Sequence, residues 1–132
     1  MIEVEVLGAR LAPGAPPAAE IQRLCMRAAA SRGVDDGHVA VEFVGAARIE
    51  ELNREHRGRA APTDVLSFPI DGAERCGSAP RELGDVVICA EHTADLREAI
   101  VHGMLHLLGM DHERDDGEML ALQAALLAGA RA

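Results

Sequence analysis

The stretch "DVVICAEHTADLREAIVHGMLHLLGMDH", Asp85 to His112, contains the two elements on which the fold prediction depends. Its first part, "DVVICA", is a short apolar run rich in β-branched residues and predicts a buried strand. Asp95 followed by Glu98 resembles a capping box, which predicts a helix over Leu96–Leu108. Gly109 predicts the end of that helix, because glycine readily adopts the left-handed conformation that turns the chain back.

The segments on either side of this stretch complete the fold prediction. "IEVEVL" and "HVAVEFV" predict strands, and "DVLSFPI" predicts a strand at a sheet edge because Pro69 cannot donate to a ladder. Further helices are predicted over Ala18–Ser31, "ARIEELNREH" and "GEMLALQAALLAGA", and "DGAERCGSAPRE" predicts a long loop. The order βαβαββαα predicts an α+β (mixed α/β) fold in which a small four-stranded sheet packs with about four helices. A chain of 132 residues is expected to form one domain over residues 1–132.

Composition excludes several classes of protein. The net charge of −9 argues against a general nucleic-acid coat protein, although it leaves room for a locally basic groove. No apolar run is long enough for a membrane helix and no signal peptide is visible, so we expect a cytoplasmic protein without membrane association. Cys25, Cys76 and Cys89 have no CxxC spacing, which disfavours disulfides and zinc ribbons.

Three histidines in and after the Leu96–Leu108 helix predict a metal site. His102 and His106 are four residues apart and therefore share a helix face, and they are the only polar side chains between Ala99 and Met110. The turn at Gly109 can bring His112 to the same point. Three imidazoles leave a tetrahedral ion with one open position, which is the catalytic pattern. Zinc is the expected ion, with another divalent transition metal such as nickel or cobalt as the alternative.

The spacing His102-x3-His106-x2-Gly109-x2-His112 is also that of metzincin peptidases, HExxHxxGxxH. Those enzymes keep a glutamate directly after the first histidine, where this chain has Gly103. Glycine cannot accept a proton, so a peptidase would lack its general base. The spacing therefore predicts the metal geometry of a metzincin without its peptide chemistry.

Three blocks resemble the YbeY family of bacterial rRNA-maturation endoribonucleases: "LNREHRGRAAPTDVLSFP", "LGDVVIC" and "HGMLHLLGMDHE". The resemblance implies one metal ion, generally zinc, on His102, His106 and His112, and a catalytic arginine at Arg57. It implies cleavage of single-stranded rRNA near the 3′ end of the small-subunit rRNA, and a part in ribosome quality control. The small ribosomal subunit and its assembly factors, among them the Era GTPase, are the implied partners.

The segment "NREHRGR" is the one locally basic patch. Its residues Arg54 and Arg59 are candidates for RNA binding, with solvated surface charges as the alternative. Ser67 on the predicted edge strand is a further candidate for substrate binding. Asp111 and Glu113 are candidates for orienting the histidines, with solvated turn acids as the alternative.

Several positions depart from the family pattern. His56 and Met110 replace tyrosines that are usual there, Gln123 replaces a usual glutamate, and the segment from Ala90 to Ile100 is shorter than in the family. The chain has no Tyr or Trp for stacking on RNA bases, so we expect weak intrinsic RNA affinity. Two other classes stay open, a metzincin-like metallopeptidase without the usual glutamate and a non-enzymatic, metal-stabilised ribosome-assembly factor.

Overall fold

The strands and helices of the computed structural model follow the predicted order. The structure describes residues 1–57, 64–74 and 81–131, of which 57, 130 and 131 are described by their backbone alone. In chain order the elements are β1 (Ile2–Leu7), α1 (Ala18–Ser31), β2 (Gly37–Val44), α2 (Ala46–Arg57), β3 (Val65–Pro69), β4 (Glu82–Cys89), α3 (Leu96–Leu107) and α4 (Glu118–Arg131). The predicted α+β architecture with four strands and four helices is therefore confirmed. Two single 3₁₀ turns, Ala9–Leu11 and Ala90–His92, are additional.

The four strands form one sheet in the order β1-β2-β4-β3. Strands β1, β2 and β4 are parallel, and β3 runs antiparallel to β4 with Ser67 opposite Val86. The strand that contains Pro69 lies at an edge, as predicted from its missing N–H donor. Asp71 closes the base of the β3–β4 connection, because its carboxylate accepts a hydrogen bond from the backbone N–H of Glu82 at 2.8 Å. Residues 75–80 of the predicted loop, including Cys76, lie outside the described residues.

Helices cover both faces of the sheet. Val86 and Ile88 of β4 face the larger core, which includes α1, α3 and α4, whereas Val87 and Cys89 face α2. This alternation follows from the two-residue period of a strand. Because both faces are covered, the second half of β4 is a continuous apolar run, Val86–Cys89, and that run made the strand recognisable in the sequence.

Helix α3 lies at the centre of the larger core. The carboxylate of Asp95 accepts a hydrogen bond from the Glu98 N–H, which confirms the predicted N-terminal cap. Ile100, Met104 and Leu105 are fully buried on its inner side. The helix ends at Leu107, one residue before the predicted end. In the described residues, no helix combines the length and the apolar character that a bilayer crossing requires.

Candidate metal centre and its cleft

The turn after α3 brings three histidines together. Gly109 has a φ of 96°, and the N–H of Met110 donates to the carbonyl of Leu105 at 3.0 Å, so the chain reverses directly after the helix. The ring centroids of His102 and His106 are 4.8 Å apart, and His112 lies 5.0 Å from the first and 5.3 Å from the second. The three predicted metal-binding residues are therefore neighbours in space.

The three imidazoles suit a metal ion. One nitrogen from each of His102, His106 and His112 lies within 4.8 Å of the others, and all three side chains are half-buried. Small side-chain rotations bring such nitrogens to the roughly 2.0–2.1 Å that zinc–imidazole bonds require. Three neutral nitrogen donors leave one position open to water or substrate, so the set fits a catalytic ion better than a closed structural one.

Gln123 of α4 orients the first of these histidines. Its side chain is 8% exposed, and its Oε1 lies 2.8 Å from Nδ1 of His102. Because an amide oxygen only accepts hydrogen bonds, Nδ1 of His102 carries the proton and donates. The lone pair is then on Nε2, the nitrogen that remains for a metal.

The environment of His106 favours its neutral form. Burial lowers the pKa of His106, and positive charge on His102 or His112 would lower it further. A hydrogen bond with the Met110 backbone and the charge of Asp111 act in the opposite direction, but the pKa remains below its usual value. A neutral imidazole is the form that binds a metal, so the electrostatics of the site favour metal binding.

The histidines line an open cleft of about 760 Å³ beside the edge strand β3. Strand β3 forms the floor of the cleft from Val65 to Pro69, α3 and the turn after it contribute the histidines, and α2 contributes His56. The described residues of the lining include the acids Asp64, Asp111 and Glu113 but no arginine. An anionic substrate therefore needs cations from outside this set.

Gly103 explains why the cleft lacks the glutamate of a metzincin. A Cβ atom at this position would overlap Cγ1 of the buried Val86 and lie 3.3 Å from Cγ2 of Val65. Valine has no flexible end that can move aside, so helix and sheet approach too closely for any side chain at position 103. The sequence showed that the general base is missing, and the packing shows that it has no room.

The predicted substrate-binding residues and the predicted catalytic arginine, Arg57, lie in different surroundings. Ser67 lines the cleft, and its hydroxyl donates to the Gly103 carbonyl at 2.9 Å, which ties β3 to α3. Arg54 is exposed on α2, and its guanidinium Nη2 lies 3.6 Å from the carboxylate Oε1 of Glu50. The backbone of Arg57 ends α2, one residue after His56, which lines the cleft. The prediction for Arg59 lies outside the described residues, and all four assignments stay predictions.

Two neighbours of the site were not foreseen as functional. Gln123 departs from a family pattern, and its place four residues from both Met119 and Leu127, on the apolar face of α4, is the sequence signal that could have identified it. His56 contacts Phe68 across the cleft floor, with ring centroids 4.8 Å apart. Asp111 accepts a hydrogen bond from the Glu113 N–H, and both acids line the cleft, so their candidate role in orienting the histidines stays a prediction.

Comparison with known proteins places the chain among endoribonucleases. A family model described as "Endoribonuclease YbeY" matches residues 17–131. A protein named Endoribonuclease YbeY from Rubrobacter xylanophilus is 39% identical over 139 aligned positions, which cover 97% of this chain and 96% of that protein. Its counterpart from Macrococcus caseolyticus is 36% identical and covers 82% of each chain.

A solved structure supports the same fold. The solution structure of TM1509 from Thermotoga maritima is similar to this chain with a TM-score of 0.56 and 26% sequence identity. The match covers 96% of this chain and 88% of that protein. The overall fold is therefore shared with a solved protein.

Proposed function

The chain belongs to the endoribonuclease YbeY family, and from that premise we propose that it is a zinc-dependent endoribonuclease that cleaves single-stranded rRNA. The proposed substrate is the region near the 3′ end of the small-subunit rRNA, and the proposed place is the cytoplasm. The observation that supports metal dependence is the set of three imidazole nitrogens within 4.8 Å of one another in an open cleft.

The proposed roles of the residues follow from the negative charge that develops on the phosphate during cleavage. Phosphodiester cleavage increases negative charge on the phosphate oxygens. When bound, a zinc ion would polarise a phosphoryl oxygen and lower the pKa of a coordinated water. Gln123 holds the His102 ring so that Nε2 is available as a ligand. Arg57 is proposed as the catalytic guanidinium that neutralises the phosphate, because a planar fork suits two oxygens at once.

The acidic lining of the cleft means that a phosphate backbone can bind there only with the help of cations. Asp64, Asp111 and Glu113 repel a phosphate backbone unless cations compensate. We propose that the ion supplies part of that compensation and that Arg54 and Arg59 supply another part as RNA-binding residues. Ser67 is proposed to accept a hydrogen bond from the substrate, because its own proton already belongs to the Gly103 carbonyl.

The proposed partners are the small ribosomal subunit and its assembly factors, with the Era GTPase as one of them. A net charge of −9 disfavours binding to RNA in general. Docking on a ribosomal protein or assembly factor would supply the targeting that the cleft lacks. This part of the proposal includes a role in ribosome quality control, in which defective subunits are the substrate.

Cleavage of a single-stranded rRNA fragment tests the proposed activity. Metal-loaded protein should cut the fragment, and chelation should abolish cleavage and restoration of zinc should recover it. Arg57→Ala should lower the rate by orders of magnitude, whereas Arg48→Ala on the exposed side of the same helix should not. Cleavage that is indifferent to chelator refutes a catalytic metal.

Two further measurements separate the alternatives. Cleavage of casein that survives Arg57→Ala would indicate a metallopeptidase. Absence of any turnover, with a loss of stability in His112→Ala, would indicate a metal-stabilised assembly factor. For the partners, faster cutting of the same RNA within a small subunit than of free RNA supports targeting by the ribosome, and equal rates contradict it.

A further inference from the structure

Aromatic side chains are scarce in this protein, which makes their location informative. The sequence contains two phenylalanines and neither tryptophan nor tyrosine. Phe43 is 1% exposed and belongs to the core. Phe68 is half-buried and lines the same cleft as the three clustered histidines. One of these two aromatic residues therefore lies in the cleft in which the proposed function places the substrate.

Phe68 does not stand alone there. The exposed ring of His56 lies 4.8 Å from it, centroid to centroid, and the two ring planes meet at 65°. His56 comes from α2, and Phe68 packs with the core cluster beneath that helix. Rings at this angle form a corner, in which a planar group stacks on one ring and meets the other with its edge.

We propose that His56 and Phe68 form a nucleobase-stacking subsite of the cleft, on the α2 side of β3 and across that strand from the His102, His106 and His112 cluster. The proposal depends on the proposed function, because it places a base of the RNA substrate in this corner while its backbone reaches the histidine cluster. It names a stacking contact for the base, whereas the arginines considered so far act on the phosphate.

The surroundings favour a base over a phosphate as the group that His56 contacts. Glu55 precedes His56 in the chain and Arg57 follows it, so the guanidinium proposed to bind the phosphate is a better partner for an anion than the His56 ring. The uncharged ring of Phe68 beside His56 suits a base instead. Stacking on an aromatic face needs no charge and tolerates every base. We therefore expect a preference for purines, which offer the larger stacking surface, rather than for a fixed sequence.

Binding of a short 2′-O-methyl oligoadenylate to the full-length, zinc-loaded protein tests the subsite. Fluorescence anisotropy gives the affinity, and a gel after each titration confirms that the oligonucleotide is intact. His56→Ala should weaken binding roughly ten-fold. His56→Tyr should restore it, since a larger aromatic ring stacks at least as well. His92→Ala, which removes an exposed histidine that does not line the cleft, is the matched control.

Two additional measurements separate stacking from charge. The slope of affinity against salt concentration should be equal in wild type and His56→Ala, because no phosphate contact is lost. An oligonucleotide of abasic sites should bind both proteins equally weakly. A reduced salt slope in His56→Ala, or failure of His56→Tyr to restore affinity, overturns the proposal.

The binding titrations, combined with the RNA cleavage assay, distinguish the stacking subsite from the proposed nuclease function. If wild type cleaves unmodified RNA but His56→Ala binds the oligoadenylate as tightly as wild type, the subsite is refuted and the nuclease stands. If the His56 effect is present but wild type cleaves no RNA, the nuclease is refuted and the subsite stands. If wild type cleaves RNA but does not bind the oligonucleotide, the subsite alone is refuted; if it neither binds the oligonucleotide nor cleaves RNA, both are refuted.

Discussion

Replacement of Gln123 by methionine should weaken metal binding without unfolding the protein. Methionine has nearly the same length and volume as glutamine, so it can occupy the buried position on α4. It removes the oxygen that lies 2.8 Å from Nδ1 of His102. The His102 ring then loses the contact that directs Nε2 toward a metal.

The expected size of the effect follows from two considerations that agree. An N–H group left without a partner in a half-buried position costs about 1–3 kcal/mol. Loss of a partner that orients a metal-binding histidine typically lowers metal affinity about 10–100-fold, which corresponds to about 1.4–2.8 kcal/mol. We therefore expect zinc affinity to fall by one to two orders of magnitude in Gln123→Met.

Competition with a chromophoric chelator at neutral pH measures this affinity directly. Gln123→Glu is the matched control, because a carboxylate retains an acceptor at the same position and should bind zinc at least as tightly as wild type. The visible spectrum of the cobalt-loaded proteins adds a readout of coordination geometry. Urea unfolding of the metal-free forms shows whether the fold is intact.

Two results would refute the reasoning. If Gln123→Met binds zinc as tightly as wild type, the hydrogen bond to His102 does not orient a ligand. If Gln123→Glu is as weak as Gln123→Met, the effect arises from disturbed packing in α4 rather than from a lost acceptor.

Three other predictions concern the core and the metal. Gly103→Ala should lower the free energy of unfolding, measured in urea, by about 1–2 kcal/mol, because the new methyl group overlaps Val86. This loss is expected even though alanine favours helices more than glycine does. Adding Val86→Ala to the Gly103→Ala protein should restore part of the loss. Burial raises the pKa of the Cys25 thiol to about 12 and excludes solvent from Cys25 and Cys89, so iodoacetamide should label neither in the native protein and both in urea. Because unfolded Cys25 ionises near pH 9, its contribution to stability should be complete below that pH and decline as the pH rises toward 12. Zinc at about 100 times its Kd should raise Tm by about 10 °C, and His112→Ala should remove this increase.

Each of these predictions has an outcome that contradicts it. A Gly103→Ala protein as stable as wild type would mean that α3 can move away from the sheet. Rapid labelling of Cys25 under native conditions would mean that the larger core opens readily. If the free energy of unfolding changes with pH in the same way in wild type and in Cys25→Ala, the ionisation of Cys25 does not affect stability. A zinc-induced rise in Tm that persists in His112→Ala would place the ion elsewhere.

Local patterns predicted the elements of this fold because each element has a strong local cause. Helix α3 begins where the Asp95 side chain caps it and ends where Gly109 takes a positive φ, and both signals are readable from neighbouring residues. The edge position of β3 follows from the missing N–H of Pro69. The strand order and the antiparallel direction of β3 required tertiary packing, which no local pattern encodes.

The part of the site that is built from residues close together in the sequence was predictable, and the part that depends on packing between distant elements was not. His102, His106 and His112 lie within eleven residues of the chain, so helix periodicity and one glycine turn bring them together. Gln123 reaches His102 from another helix, twenty-one residues away, and the pairing depends on how α4 packs on α3. The contact between His56 and Phe68 likewise joins a helix and a strand that no sequence period relates.

The absence of space at Gly103 also restricts how this protein can change over generations. A single mutation that installs a glutamate there would damage the protein before the new carboxylate could act on any substrate, because Val86 already occupies its place. A descendant with peptide-cleaving chemistry would first need a smaller residue at position 86, a step that brings no benefit by itself. The sheet thus keeps this histidine cluster from acquiring a neighbouring base one mutation at a time.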